Sequence, residues 1–192
     1  MTASRAFLKT GFARSTREPM QRLCIRTTWN GIELDAEEHA WVDVERGPTG
    51  LCVAIEAPFY GDAPPQAPAG STPGLWEFEV VELFVAGEDR SKTSSYLELE
   101  VGPHGHHLVL GFEGVRQRAA VHKDLALRVG RLGGRWSANL SLPFAWLLPA
   151  PWFANAYAIY GSAEKRRYLA SNPIDGKSPD FHQPASFLPL AL

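Results

Sequence analysis

Apolar and polar residues alternate along most of the chain with the two-residue period of β-strands, and no run of about ten residues has a helical period. Clusters of glycine and proline separate the alternating runs, as turns do. The pattern predicts strands at 21–28, 40–45, 51–57, 77–86, 95–102, 106–113, 124–130, 135–142, 154–161 and 165–171, with a last extended piece near 186–191. About ten short strands joined by turns predict an all-β fold with little helix, an antiparallel two-sheet β-sandwich.

Two neighbouring predicted strands, 77–86 and 95–102, carry acidic residues on the face opposite their apolar residues. Glu82 lies on that face of the first strand and Glu100 on that of the second, and Trp76 directly precedes the first. An acidic face with aromatic neighbours suits a polyhydroxylated ligand, because aromatic rings pack on sugar C–H groups while carboxylates bind paired hydroxyls.

Like charges side by side on a sheet repel each other, so Glu82 and Glu100 require compensation. Either ligand hydroxyls donate hydrogen bonds to the two carboxylates, or Arg166 or Arg167 on a later strand pairs with them. If the acids are unpaired, repulsion between them should raise the pKa of at least one above its ordinary value.

The composition is that of an ordinary globular domain, with 192 residues, 45% hydrophobic and 21% charged residues and a net charge of −2. We expect a single sandwich domain over residues 21–192, preceded by a basic tail at 1–20 that is disordered or partly ordered. The net charge argues against nucleic-acid binding, and no stretch reaches the roughly 20 apolar residues that span a bilayer. Two cysteines, Cys24 and Cys52, are predicted to be reduced core thiols, which fits a cytoplasmic protein. Organellar import, suggested by the basic tail, is the alternative.

The longest predicted loop, residues 58–75, contains five prolines and three glycines. Loops of this length usually form part of a site or are disordered. Because the loop leads directly into Trp76, it could wall a site, and we expect disorder in its middle, around 64–71.

Several sequence blocks resemble a known family. Trp76, Glu79, Glu82 and Phe84 resemble the W-x-x-D-x-V-E-x-F signature of family-nine carbohydrate-binding modules and of the wider DOMON-like, jelly-roll-like sandwiches. Blocks at 136–144, 153–159 and 179–187 follow in the same order. The segments E-V-V-E, P-H-G-x-H-L, N-A-Y-A-I and P-D-F-H are most similar to a poorly characterised family of single-domain proteins. The resemblance covers about residues 20 to 192 and implies a β-sandwich.

The resemblance also implies a binding site, since in these modules two aromatic side chains enclose a terminal sugar while polar side chains bind its hydroxyls. Trp76 matches the first aromatic residue and Phe181 the second, which is a Trp in the modules; Glu100 stands where the modules carry an Arg. The implied ligand-binding residues are Trp76, Glu79, Glu82, Glu100, Asn155, Tyr157 and Phe181. No catalytic and no metal-binding residue is predicted.

Three histidines close together, His104, His106 and His107, invite a metal-site interpretation, but they lack a fourth ligand, and alternation sends the last two to opposite faces. We therefore favour a structural role for them. Asp180 and His182 flank Phe181 and are expected to tie down the C-terminal segment by a hydrogen bond.

Together these features predict a non-catalytic module that binds a small saccharide or polyol without a cofactor, with calcium in a loop as a lesser expectation. The alternatives are a carbohydrate-active enzyme with Glu82 and Glu100 as its acid–base pair, a haem-binding sandwich, or a scaffold that binds another protein. The chain has no P-loop, no G-x-G-x-x-G and no G-x-S-x-G motif. Its two methionines, Met1 and Met20, lie outside the predicted domain, which disfavours haem ligation through methionine.

Overall fold

The computed structural model describes residues 19–192, so most of the predicted basic tail lies outside the described residues. The strands are β1 (Met20–Ile25), β2 (Thr27–Thr28), β3 (Ala40–Arg46), β4 (Gly50–Pro58), β5 (Val80–Ala86), β6 (Ser95–Val101), β7 (His107–Glu113), β8 (Arg118–His122), β9 (Leu127–Leu132), β10 (Arg135–Pro143), β11 (Trp152–Tyr160), β12 (Arg167–Ala170) and β13 (Leu188–Leu190). Short 3₁₀ turns occur at Ala36–Glu38, Leu75–Glu77, Phe144–Trp146, Ala163–Lys165 and Pro184–Ser186.

The strands form two sheets, in which every strand pairing is antiparallel. One sheet has the order β1-β3-β4-β10-β9, and the other has the order β2-β12-β11-β5-β6-β7-β8 with β13 added beside β11. The predicted all-β, antiparallel two-sheet sandwich is thereby confirmed. Strand β8 was not predicted, because its residues are mostly exposed and show no apolar alternation.

The main core lies between the two sheets and follows the predicted alternation. Val81, Leu83 and Val85 of β5 point into it and are at most 3% exposed. Burying one such side chain contributes roughly 1.5–3 kcal/mol, so this face fixes the strand register.

The outer face of the larger sheet is also covered, over part of its area, by a second apolar layer. Phe84 and Tyr157 lie on this face, and two irregular segments, 59–79 and 171–187, pack over them. Leu75 from the first segment and Phe187 from the second are fully buried there. The site described below is the part of this face that the two segments leave open.

The proline-rich segment is held against the sheet, so the disorder expected for residues 64–71 was wrong. Ser71 forms a parallel bridge with His107, and the backbone N–H of Thr72 donates to the carbonyl of His107 at 2.8 Å. Pro65 is buried. Backbone pairing of this kind anchors a loop that has few apolar side chains of its own.

Within residues 19–192 no helix is long and apolar enough to cross a membrane. Both cysteines are free thiols as expected, but neither lies in the core, since Cys24 is half-buried on β1 and Cys52 is exposed on β4. The cytoplasmic location stays a prediction.

Candidate functional site

An open cleft of about 670 Å³ lies on the outer face of the larger sheet. Strands β5, β6, β7 and β11 provide its floor, and the segments 59–79 and 171–187 provide walls on either side. Of the predicted ligand-binding residues, three line this cleft: Trp76, Glu82 and Phe181. Side chains from three separate parts of the chain therefore meet at one opening.

Three glutamates cluster at the floor because of the β5–β6 register. Glu82 lies directly opposite Glu100, and Phe84 lies opposite Glu98, so all three acids share the outer face. One carboxylate oxygen from each glutamate lies within 4.8 Å of the other two. Glu82 and Glu98 line the cleft, and Glu100 is fully buried beside them. Both oxygens of Glu100 and Oε2 of Glu98 have no hydrogen-bond partner among the described residues.

Burial raises the pKa of all three carboxyls, and their mutual repulsion adds to the effect for Glu82 and Glu100. The pKa of Glu98 rises to about 7 and that of Glu100 to about 11, in each case mainly because burial disfavours the charged form. The raised values agree with the expectation for unpaired acids, although burial contributes more than the repulsion that was expected. Glu100 therefore carries a proton at neutral pH.

Neither arginine proposed as a partner pairs with the floor acids. Arg166 donates instead to the backbone carbonyls of Trp76, Glu77 and Gly161. Arg167 forms an ion pair with Glu38 at 2.8 Å. The arginine-neutralisation alternative was thus wrong in its geometry, since within the described part of the chain no arginine or lysine nitrogen lies within 4.0 Å of the three carboxylates.

His182 is the neighbour of the acids on the cleft side. Its Nε2 lies 4.0 Å from Oε2 of Glu98, and its Nδ1 shares a 2.7 Å hydrogen bond with the hydroxyl of Tyr96. Burial, with a further contribution from the charge of Arg116, lowers the pKa of His182 to about 4. The imidazole is therefore neutral at physiological pH and does not compensate the glutamates.

Aromatic side chains surround the opening. Trp76 is 42% exposed at the mouth, on a 3₁₀ turn that begins after Gly74, which adopts a positive φ of 75°. Phe181 stacks on Tyr157 with ring centroids 3.9 Å apart. Tyr168 meets Phe181 edge-on from β12. The cleft thus presents ring surface at its sides and carboxyl groups at its base.

The other predicted site residues lie close to the cleft but do not line it. Tyr157 and Asn155 are fully buried on β11 beneath Phe181 and the following segment, and the Asn155 amide donates to the Tyr157 hydroxyl at 2.8 Å. Asn155 also bonds the backbone of Asn172, so it attaches the C-terminal wall to the sheet. Glu79 points to the other segment, where its carboxylate accepts from the backbone N–H groups of residues 60–62 at 3.0–3.2 Å.

Two of the three clustered histidines bind backbone carbonyls. His106 contacts the carbonyl of Ala67 at 2.9 Å, and His107 contacts that of Lys123 at 3.2 Å. In residues 19–192, the group of side chains with metal-ligand spacing is the glutamate trio, which the histidines do not join. The structural interpretation of these histidines fits their contacts, and the calcium expectation stays a prediction.

Sequence reasoning missed several lining residues: Glu98, Phe112, Arg116, Arg118, Tyr168 and His182. Glu98 was predictable, because it has the same parity as Glu100 on β6. The placement of Arg116 and Arg118 depends on β8 and the turn before it, where the sequence has no periodic signal.

Comparison with known proteins identifies the family. The human UPF0462 protein C4orf33 is 36% identical over 169 residues, which cover 82% of this chain and 81% of the human protein. Its homologue in Danio rerio is 34% identical over 176 residues, covering 88% of this chain and 87% of the fish protein. The chain belongs to the UPF0462 family. No protein-family model matches this UPF0462 member.

Solved structures share the fold of this UPF0462 chain. A Bacteroides uniformis protein, proposed to bind carbohydrate, superposes with a TM-score of 0.67 at 16% identity, covering 88% of this chain and 85% of that one. A family-nine carbohydrate-binding module from Caldicellulosiruptor kristjanssonii, solved with cellotriose, gives 0.54 at 12% identity, covering 88% and 80%. The same family's complex with glucose gives 0.54 at 13% identity, covering 88% and 81%. The resemblance to family-nine modules is confirmed at the level of the fold.

Proposed function

We propose that this UPF0462 chain binds a small saccharide or polyol in the cleft on its larger sheet and catalyses no reaction. The observation that carries the proposal is the convergence of an exposed indole, Trp76, and a carboxyl floor on one open cavity of about 670 Å³. Cavities of roughly 300–1,000 Å³ are the usual size of small-molecule sites.

The floor suits hydroxyl groups in either protonation state. A protonated carboxyl donates one hydrogen bond and accepts others, whereas a carboxylate only accepts. Because the unpartnered oxygens of Glu98 and Glu100 are buried, leaving them without partners is costly, and a ligand hydroxyl reaching Glu98 would offset part of that cost. Stacking on Trp76 at the mouth would add about 0.5–1.5 kcal/mol beyond the area buried.

The structural neighbours support a saccharide in general terms, since two of them are modules solved with cellotriose and with glucose. The net charge of −2 and the acidic floor make nucleic acid an unsuitable guest for the cleft.

A carbohydrate-active enzyme is the second candidate, and one observation favours it. Oxygens of Glu82 and Glu98 lie within 4.8 Å of each other on the cleft floor, and the Glu98 pKa of about 7 suits a general acid. Retaining glycosidases place their two carboxyl groups about 5–5.5 Å apart, on either side of the bond to be cleaved. Here the acids lie side by side in one floor and belong to a trio, which favours binding.

Glycan titration followed by calorimetry and tryptophan fluorescence tests the proposal. We expect at least one mono- or disaccharide to bind wild type and Trp76→Ala to weaken it about tenfold, because up to about 1.5 kcal/mol of stacking is lost. Trp41→Ala, which removes a partly buried Trp from the other sheet, is the matched control and should leave the affinity unchanged.

Two results would contradict this function. No binding across a broad panel of mono- and disaccharides would remove the saccharide, and turnover of a bound glycoside that Glu98→Gln abolishes in a folded protein would replace binding with catalysis.

A further inference from the structure

The three glutamates of the cleft floor are buried carboxyl groups that need either a proton or a positively charged partner. Taking a carboxylate out of water costs several kcal/mol unless it is paired or protonated. Glu82, Glu98 and Glu100 are 2%, 4% and 0% exposed, and no cationic side chain among residues 19–192 forms an ion pair with Glu82 or Glu100. One Glu100 oxygen lies within 4.8 Å of an oxygen of each of the other two acids, and both Glu100 oxygens lack a hydrogen-bond partner among the described residues. The chain thus concentrates three carboxyl groups at the base of the cleft without supplying a lysine or arginine partner for them from the part that the structure describes.

The spacing of the three acids defines the donor that would fit. Three oxygens that are pairwise no more than 4.8 Å apart all lie within about 2.8 Å of one common point. Charge-assisted N⁺–H···O⁻ hydrogen bonds have lengths of about 2.7–2.9 Å. A primary ammonium group carries three N–H donors and no acceptor, so one such group can bridge the oxygens of Glu82 and Glu98 at the cleft floor.

We infer that the cleft floor binds the protonated primary amine of an amino sugar, with N–H groups donated to Glu82 and Glu98, which line the cleft, while the buried Glu100 lies beside them. The inference rests on the proposed saccharide-binding function and names the class of saccharide. Phe84, which lies opposite Glu98 on the floor, and Phe112 line the same cleft and provide the aromatic surface that favours a cation.

Of the three described arginines that line the cleft, Arg116 and Arg166 have partners that hold them in place, and Arg118 is exposed on β8. The Arg166 guanidinium is bound by three backbone carbonyls, and Arg116 pairs with Asp180 at 2.8 Å. His182 is neutral at physiological pH, so it does not repel an ammonium group next to Glu98. The base of the cleft is therefore acidic while its rim carries the arginines.

A divalent metal ion is the competing guest for the same trio. Calcium takes about six to eight oxygen ligands, whereas the trio would supply three carboxylates, and His182, 4.0 Å from Glu98, offers nitrogen instead of oxygen. The cleft above the acids is also far larger than a hydrated ion requires. Both features favour an organic cation.

Calorimetric titration at pH 7 of three matched ligands, glucosamine, glucose and N-acetylglucosamine, tests the inference. Hydrogen bonds to charged groups contribute about 1.5–3 kcal/mol, so glucosamine should bind about 10- to 100-fold more tightly than glucose. N-acetylglucosamine has the same ring without the positive charge and should bind no more tightly than glucose. Equal affinity for glucosamine and glucose would overturn the inference and leave saccharide binding intact, whereas no binding of any saccharide would overturn both.

Variants assign the amine to the trio. Glu82→Gln and Glu98→Gln should each remove most of the preference for glucosamine over glucose, and both should fold, because glutamine is isosteric with the protonated acid. Glu88→Gln, an exposed acid in the turn after β5, is the control and should keep the full preference. A preference that survives in both folded floor variants would contradict the assignment.

A metal titration completes the design. Wild type freed of metal with EDTA should give no heat with CaCl₂ or MnCl₂ at concentrations that saturate glucosamine. Tight metal binding that Glu100→Gln abolishes and that blocks glucosamine would assign the trio to a metal ion and overturn the inference.

Discussion

The ring of Phe181 lies flat on the ring of Tyr157, with centroids 3.9 Å apart and an interplanar angle of 6°. Tyr157 belongs to the central strand β11, and Phe181 to the irregular C-terminal segment. This contact therefore joins one wall of the cleft to its floor. Phe181 therefore contributes to both stability and the binding site, since its ring packs on the sheet and its side chain lines the cleft.

Replacing Phe181 with alanine should therefore reduce both stability and binding. We expect Phe181→Ala to lower the free energy of unfolding by about 3 kcal/mol, as for other buried phenylalanines, and to abolish measurable saccharide binding. Denaturant unfolding and calorimetry measure the two effects. Leu132→Ala, at a side chain 89% exposed, should change stability by less than about 0.5 kcal/mol, and a similarly small change at Phe181 would contradict the stacked geometry.

Stability should fall as pH rises through the range in which Glu98 titrates. The folded state keeps a proton on Glu98 up to a pKa of about 7, while the unfolded chain releases it near 4.5. Between these values the folded state binds more protons, so the free energy of unfolding decreases with rising pH, by up to about 1.4 kcal/mol per pH unit and roughly 3 kcal/mol in all.

The comparison between wild type and Glu98→Gln isolates this contribution from those of Glu82, Glu100 and His182. Between pH 4.5 and 7, the free energy of unfolding of the variant should decrease with pH less steeply than that of wild type, by up to about 1.4 kcal/mol per pH unit. Above pH 7, the variant should be more stable relative to wild type than it is at pH 4.5. Urea titrations at four pH values measure both, and parallel curves for the two proteins would show that Glu98 is ionised in the folded state.

Glu79 should stabilise the proline-rich wall instead of contacting ligand directly. Its carboxylate accepts three backbone hydrogen bonds from residues 60–62, so Glu79→Ala leaves those donors without their partner. We expect a loss of about 2–3 kcal/mol in the free energy of unfolding and faster amide exchange across residues 59–79. Glu77→Ala, two residues away and exposed, should leave exchange in this segment unchanged, and equal exchange in both variants would disprove the role.

Arg166 should act on binding through the position of Trp76. Its guanidinium donates to the carbonyls of Trp76 and Glu77 and so holds the turn that carries the indole. Arg166→Met should weaken saccharide binding about fivefold to tenfold and change the fluorescence of the unliganded protein, with a modest loss of stability. Arg167→Met removes the neighbouring arginine, which pairs with Glu38, and should keep wild-type affinity. Weaker binding in both variants would point to a general effect of charge.

The parts of the site that could be predicted are those on regular strands. Alternation alone put Glu82 and Glu100 on one face, and their register made them direct neighbours. Burial of Asn155 and Tyr157 was not predictable, because it depends on the segment 171–187 folding back over β11. That return is fixed by contacts such as Asn172 to Ser186, between residues that have no periodic pattern.

The fold itself was predictable because most strands bury one face, so apolar and polar residues alternate along their sequences. Strand β8 was missed since both of its faces are largely exposed. The wrong expectation of disorder at 64–71 has a similar cause: backbone bonds to His107 anchor this segment, and backbone bonds leave no trace in side-chain composition.

The floor of the cleft is formed by β-strands and its walls by loops. The chemistry of the site and the size of its entrance therefore depend on different segments. Paired strands hold the carboxyl groups, whereas the loops decide how wide the entrance is. Insertions or deletions in either loop would resize the entrance while the chemistry at its base stayed the same. Family members with different loop lengths would then bind ligands of different size that carry the same polar group for the carboxyl floor.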